Sequence, residues 1–181
     1  MEVVEGEQCP YCHCKTLTLT EDEVDVPFFG MCYVFSMSCS NCKYSKADVE
    51  AQEERAPSKH EFTVQSDEDL NVRVVRSSEG TITIGKYGSI EPGEGAEGFV
   101  SNVQGVIERF KRVVESRKLK PEELEDASEE DVAAHEKARD VVKKLSRVLM
   151  GSDKLTLTIE DPTGNSAIVS DKTKVTPLKG K

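Results

Sequence analysis

Two Cys-x-x-Cys pairs, Cys9/Cys12 and Cys39/Cys42, constrain what this chain can fold into more than any other feature. Each pair sits on a tight turn that points two sulfurs at one metal, and two such turns brought together by a hairpin supply four thiolates in tetrahedral array. Zinc asks for four soft or borderline ligands and imposes no further geometry. Four cysteines leave no position open for water or substrate, whereas catalytic zinc keeps one. The expected cofactor is therefore one structural Zn2+ held by Cys9, Cys12, Cys39 and Cys42. The competing reading is a pair of disulfides or idle thiols, against which the paired spacing argues. Cys14 follows at Cys-x-Cys spacing and is an alternative ligand to Cys12, although Cys-x-x-Cys suits the turn better. Cys32 stands alone. His13, set between two cysteines, reads as an exposed loop residue, with metal ligation the alternative.

The 181 residues and 36% hydrophobic content supply one modest core plus a small satellite. With 24 Lys+Arg against 34 Asp+Glu, the net charge of -10 repels phosphate backbones and weighs against nucleic acid as a partner. No apolar run approaches a membrane span, so no membrane partner is expected, and the opening MEVVEGEQC lacks the basic and apolar parts of a signal peptide. Six cysteines at metal spacing without a secretion signal point to a reducing cytoplasm.

Residues 1–52 read as a metal-stapled β ribbon. One arm alternates over Thr16 to Thr20, the other places Met31, Tyr33, Phe35 and Met37 on one face, and the acidic stretch Glu21 to Asp25 with Pro27 marks the bend between them. The face carrying Tyr33 and Phe35 needs a partner. The corner Phe28-Phe29 is either core that packs on the following domain or an exposed protein-contact tip. A polar, proline-broken linker is expected around Glu53 to Lys59, opening a second domain at 53–181.

There, β-branched runs at Glu61 to Gln65, Asn71 to Arg76 and Thr81 to Gly85 alternate with turn residues, as in an all-β domain. The acidic turn Asp67-Glu68-Asp69 has a cation site as its alternative reading. Gly88 to Gly98 reads as a loop, and it lacks the Gly-Lys-Ser/Thr ending of a phosphate-binding loop. Apolar stripes then predict two helices, Ser101 to Lys118 with a capping box from Ser101 and Gln104, and Glu129 to Met150, started by Ser128 and closed by Gly151. They form a helical hairpin at about 99–150. Strands return at Leu155 to Ile159 and Ser166 to Ser170, so the hairpin is inserted into one β domain; the last dozen residues read as a frayed tail.

Several segments resemble one family. Cys9-Pro10-x-Cys12, Val26-Pro27-Phe28-Phe29 and Phe35-Ser36-x-Ser38-Cys39-x-x-Cys42 resemble the zinc finger of the ZPR-type zinc-finger proteins. Downstream, Asp69-Leu70-Asn71, Val74-Val75-Arg76-Ser77, Gly98-Phe99-x-Ser101-Asn102-Val103 and Asp161-Pro162-x-Gly164-Asn165-Ser166 are similar to that family's second domain. A single module is similar to archaeal members, whereas eukaryotic members carry two. The resemblance implies a mainly β fold with an α insertion: a four-cysteine zinc ribbon similar to that of translation initiation factor 2 beta, then a double-stranded β-helix-like domain carrying the helical hairpin. It also implies function by protein contact, with the translation elongation factor 1-alpha type GTPase as the partner and folding of that GTPase as the task.

Three function classes follow. The leading one is a noncatalytic zinc-binding protein-interaction module, a chaperone or cofactor for that GTPase, with Phe28 and Phe29 as contact residues. The alternative is a nucleic-acid-binding ribbon in translation or transcription, using Tyr11, Tyr33 and Tyr44 beside Lys15, Lys43 and Lys46. The third, an enzyme, finds little support, because His13, His60 and His135 sit in no recognisable ligand or nucleophile constellation.

Overall fold

The N-terminal strands form an antiparallel meander of order β1-β2-β3-β4: β1 (Glu2–Gln8), β2 (Lys15–Val26), β3 (Gly30–Cys39) and β4 (Ser45–Ala51). The structure, a computed structural model, describes residues 1–26, 30–52, 55–116 and 127–178. Phe28 and Phe29 lie outside the described residues, as do positions 53 and 54 of the expected linker and 117–126 between the helices.

Two expectations for the ribbon need correction. β1 is an additional strand, and β2 runs on through the acidic stretch Glu21 to Asp25 instead of bending there. Glu21, Glu23 and Asp25 alternate onto the face open to water, where carboxylates cost little, and Asp22, on the other face but half exposed, pairs with the Met1 ammonium at 3.0 Å. Register then decides which face is used. Asp22 pairs with Val34 and Val34 with Val49, and this face, carrying Val26, Cys32, Val34 and Val49, packs on the rest of the molecule. The face bearing Tyr33 and Phe35 is the opposite one, and among the described residues neither aromatic joins a buried cluster.

The second unit has two antiparallel sheets, as in a jelly roll. The larger has strand order β12-β5-β10-β7-β8, built from β5 (Ser58–Val64), β7 (Thr81–Ile84), β8 (Gly88–Ile90), β10 (Leu155–Asp161) and β12 (Lys174–Pro177). The smaller has order β11-β6-β9, from β6 (Arg73–Arg76), β9 (Phe99–Asn102) and β11 (Ala167–Val169). Alternation sorts their residues: Leu155, Leu157 and Ile159 are buried with Phe62, Val64, Ile82 and Ile84, while Thr156 and Thr63 turn away and meet hydroxyl to hydroxyl at 3.0 Å. Helices α1 (Val103–Ser116) and α2 (Glu129–Leu149) close the core through Val106, Ile107, Phe110, Leu145 and Val148.

The small sheet is buried on both sides. Val74 and Ile168 face the jelly-roll core, whereas Val75 and Ala167, one residue away, face Val26, Cys32 and Val49 of the ribbon. Successive strand residues point to opposite faces, so three short strands serve two cores. Backbone contacts reinforce this seam: the Gly98 N–H donates to Ala47 O at 3.1 Å, and the Ser78 N–H to Asp48 Oδ1 at 3.1 Å.

Other boundaries also differ from expectation. Asn102 caps α1, its Oδ1 accepting from the Gly105 N–H at 2.8 Å, while Gln104 bonds Glu108 instead of closing a capping box. The expected loop contains β8, and the expected frayed tail contains β12, whose pairing with β5 satisfies backbone groups at a sheet edge. Ser128 accepts from the Asp131 N–H as the N-cap of α2, and Gly151, at φ +70°, follows its end. No helix among the described residues is long and apolar enough to cross a membrane.

Candidate metal centre

The two knuckles repeat one backbone device. In the first, the His13 N–H donates to Cys9 O at 2.9 Å; in the second, the Lys43 N–H donates to Cys39 O at 3.1 Å. His13 and Lys43, each directly after the second cysteine of its pair, adopt φ of 59° and 63°. This left-handed residue reverses the chain within one turn, which leaves both sulfurs of each pair on the inner side. β2 and β3 carry the turns together, and the Tyr11 and Tyr44 rings lie parallel across them at 6.5 Å.

The ligating sulfurs of Cys9, Cys12, Cys39 and Cys42 all lie within 4.8 Å of one another. Cys9 Sγ stands 3.7 Å from Cys42 Sγ, and Cys12 Sγ 3.7 Å from Cys39 Sγ. A tetrahedron with Zn–S bonds of about 2.3 Å has S···S edges of about 3.8 Å, so the cage is the size a zinc ion requires. It is far too wide for disulfides. Thr16 Oγ1 lies 3.2 Å from Cys39 Sγ and orients that sulfur from outside the cage. Cys14 is exposed, outside the cage, and accepts from Asn41 at 3.5 Å. His13 is an exposed turn residue. Cys32 is buried in the seam, where desolvation raises its pKa and keeps it an inert apolar filler.

The cage is electrostatically frustrated without a metal. The Cys42 backbone N–H, the Thr16 hydroxyl and the Asn41 backbone N–H hold Cys39 down at about 6. Cys42, despite the favourable Tyr44 N–H, is pushed up to about 12 by desolvation and by hydrogen bonds with the other three sulfurs. Bound zinc supplies the positive charge that allows four thiolates side by side; because protons leave on loading, affinity falls as pH falls.

A second polar cluster joins the downstream motif residues. Buried Asp161 accepts from Ser77 Oγ at 2.7 Å, from Thr163 N and Oγ1 at 2.7 Å each, and from Ser166 Oγ. Burial pushes its carboxyl up, but the hydroxyls of Ser166, Ser77 and Thr163 prevail and hold it below the usual range. This network ties β6 to the turn after β10. The acidic turn at Asp67 to Asp69 is likewise used by the fold: Asp69 accepts from the Gln65 and Ser66 N–H groups and from Lys172 Nζ at 2.7 Å, which favours the turn reading over the alternative of a cation site at that carboxylate.

A closed four-thiolate ribbon leaning on a helix-bearing jelly roll defines a class of structural zinc-finger protein. The ZPR1 jelly-roll domain model matches residues 68–178, more than half the chain. A ZPR1-like protein of Methanocaldococcus jannaschii is 38% identical over 173 residues, covering 94% of this chain and 83% of that protein. Another from Pyrococcus horikoshii is 40% identical over 168 residues, covering 92% and 73%. The zinc finger chaperone zpr1 of Schizosaccharomyces pombe is 31% identical over 79% of this chain, which spans 30% of that longer protein. The chain belongs to the ZPR1 family, as a zinc-binding protein module.

Proposed function

We propose that this protein is a noncatalytic interaction module, with a zinc ribbon over residues 1–52 and a jelly roll over 53–181. In this reading it acts in the cytoplasm as a chaperone or cofactor for the elongation factor 1-alpha type GTPase. Zinc is held by Cys9, Cys12, Cys39 and Cys42, and Phe28 and Phe29 contribute to partner contact. The observation that carries the reading is the outward face of the ribbon. Cross-strand register sets Phe35 opposite Glu21, and Tyr33 between Glu23 and Glu50. Beside them Val4, Leu19, Phe35 and Met37 line a groove of about 380 Å³ whose charged lining residues are Glu2 and Glu21. An apolar stripe rimmed by carboxylates suits a basic, apolar protein segment and repels nucleic acid. The closed thiolate cage offers no coordination position for catalysis. The chaperone name of the Schizosaccharomyces pombe relative supports the same reading.

The test is binding of the zinc-loaded chain to nascent, GDP-bound and GTP-bound GTPase at two salt concentrations. Association with at least one form is expected, weakened at least about tenfold in Phe28→Ala/Phe29→Ala, as for aromatic anchors. Absence of association with every form would overturn the partner while leaving the fold and zinc centre standing.

A further inference from the structure

The jelly roll carries a pocket whose charge is opposite to that of the protein as a whole. About 630 Å³ in volume, it is lined by Arg76 of β6, Arg109 and Arg112 of α1, and an apolar wall of Phe99, Ile90 and Val113. Arg109 and Arg112 are three residues apart and therefore share one helix face. The Arg76 and Arg109 guanidinium carbons stand 5.7 Å and 4.4 Å from the centre of the same Phe99 ring.

Arg76 is built into the fold. It is only 3% exposed, and its Nε and Nη1 donate to Gly80 O at 2.8 Å and Glu97 O at 2.9 Å. Both acceptors are neutral carbonyls. Among the described residues none of the three arginines makes an ion pair within 4.0 Å, although the chain has 34 Asp+Glu to offer. Among the described residues the only carboxylate in the lining is that of Glu97. A buried guanidinium whose anions stand beyond ion-pair distance is only partly compensated, and neighbouring guanidiniums repel one another. Burial lowers the Arg76 pKa, the more distant carboxylates of Asp161 and Asp48 offset part of that, and Arg109 adds to it. A ligand oxyanion would complete the compensation, because the guanidinium fork matches phosphate and carboxylate oxygens in pairs.

We propose that this pocket binds an oxyanion, phosphate or carboxylate, borne on a small apolar body that rests against Phe99, Ile90 and Val113. The site lies on the jelly roll, and its occupancy does not depend on the partner proposed for the ribbon.

Calorimetric titration of the zinc-loaded full chain with phenyl phosphate and with benzoate, at matched ionic strength, tests it. Saturable binding of at least one probe is expected, and the tighter probe identifies the oxyanion preferred. Arg109→Gln/Arg112→Gln removes two exposed guanidiniums without touching the core, so zinc content and Tm should hold while affinity drops at least about tenfold. Arg76 is left in place because it also ties two backbone carbonyls. Failure of both probes to bind, or equal binding by the double variant, would overturn the proposal.

Discussion

The jelly roll and the ribbon reach order by different routes. In the jelly roll, residues as far apart in sequence as Phe62, Ile107, Leu145 and Ile168 meet in one apolar core that α1 and α2 close. The cluster inside the ribbon's knuckle end holds only Cys9, Leu17 and Cys39 as buried members. Among the described residues the ribbon's remaining buried positions, Val26, Cys32 and Val49, are buried against the jelly roll. A four-stranded meander with one wet face cannot bury enough apolar surface to order itself, whereas a structural zinc site contributes on the order of 10 kcal/mol. The ribbon therefore depends on a metal and a neighbour, and the jelly roll on its own interior. That leaves the ribbon's outer face, with its aromatic stripe, outside the buried clusters of the described residues.

Breaking the jelly roll from within should have the larger of two mutational effects. Asp161→Ala leaves Ser77, Ser166 and Thr163 without their shared acceptor, and a cost of about 3 kcal/mol is expected from loss of a buried charged hub. Chemical denaturation of the jelly roll reads this directly. The pH dependence has a definite sign. The folded-state pKa of Asp161 is depressed, so its contribution is complete above the unfolded value of about 3.9 and is lost as pH falls through the folded value. The thiolate cage loses zinc to proton competition at higher pH. On acidification the ribbon should therefore melt before the jelly roll, and a single coincident transition would erase the distinction.

A smaller effect is expected at the seam. A Cβ on Gly98 would stand 2.6 Å from Asp48 Oδ1 and 2.7 Å from Val49 N, both on ribbon strand β4. Gly98→Ala should cost about 1–2 kcal/mol by overpacking, with the loss confined to ribbon and seam. Amide exchange resolved along the chain measures it; equal loss in β5 and β10 would show that the two units are one cooperative body.

What could be read from the sequence follows the range of the forces involved. The knuckles are local in sequence, and so are the alternation of Leu155 to Ile159, the stripes of both helices and the capping by Ser128. β1 is harder to see, because every one of its residues is exposed and its order comes from pairing with β2. β8 and β12 are short edge strands defined by their neighbours. Both faces of β3 carry apolar residues, so alternation alone did not select the seam face; the position of the small sheet did. The arginine pocket was invisible for the same reason, since Arg76 is more than thirty residues from Arg109 and Arg112 and no local spacing links them. The helical spacing of Arg109 and Arg112 was the one available signal. The convergence of Ser77, Asp161 and Ser166 was foreshadowed only by the family-like segments that contain them.

The most direct test of this division is hydrogen exchange on the full chain before and after zinc is removed by a chelator. Loss of amide protection in β2, β3 and β4, with β5, β7, β10 and α1 still protected, is the predicted result. Protection of the ribbon that survives complete removal of zinc, or its loss throughout the jelly roll, would contradict the account.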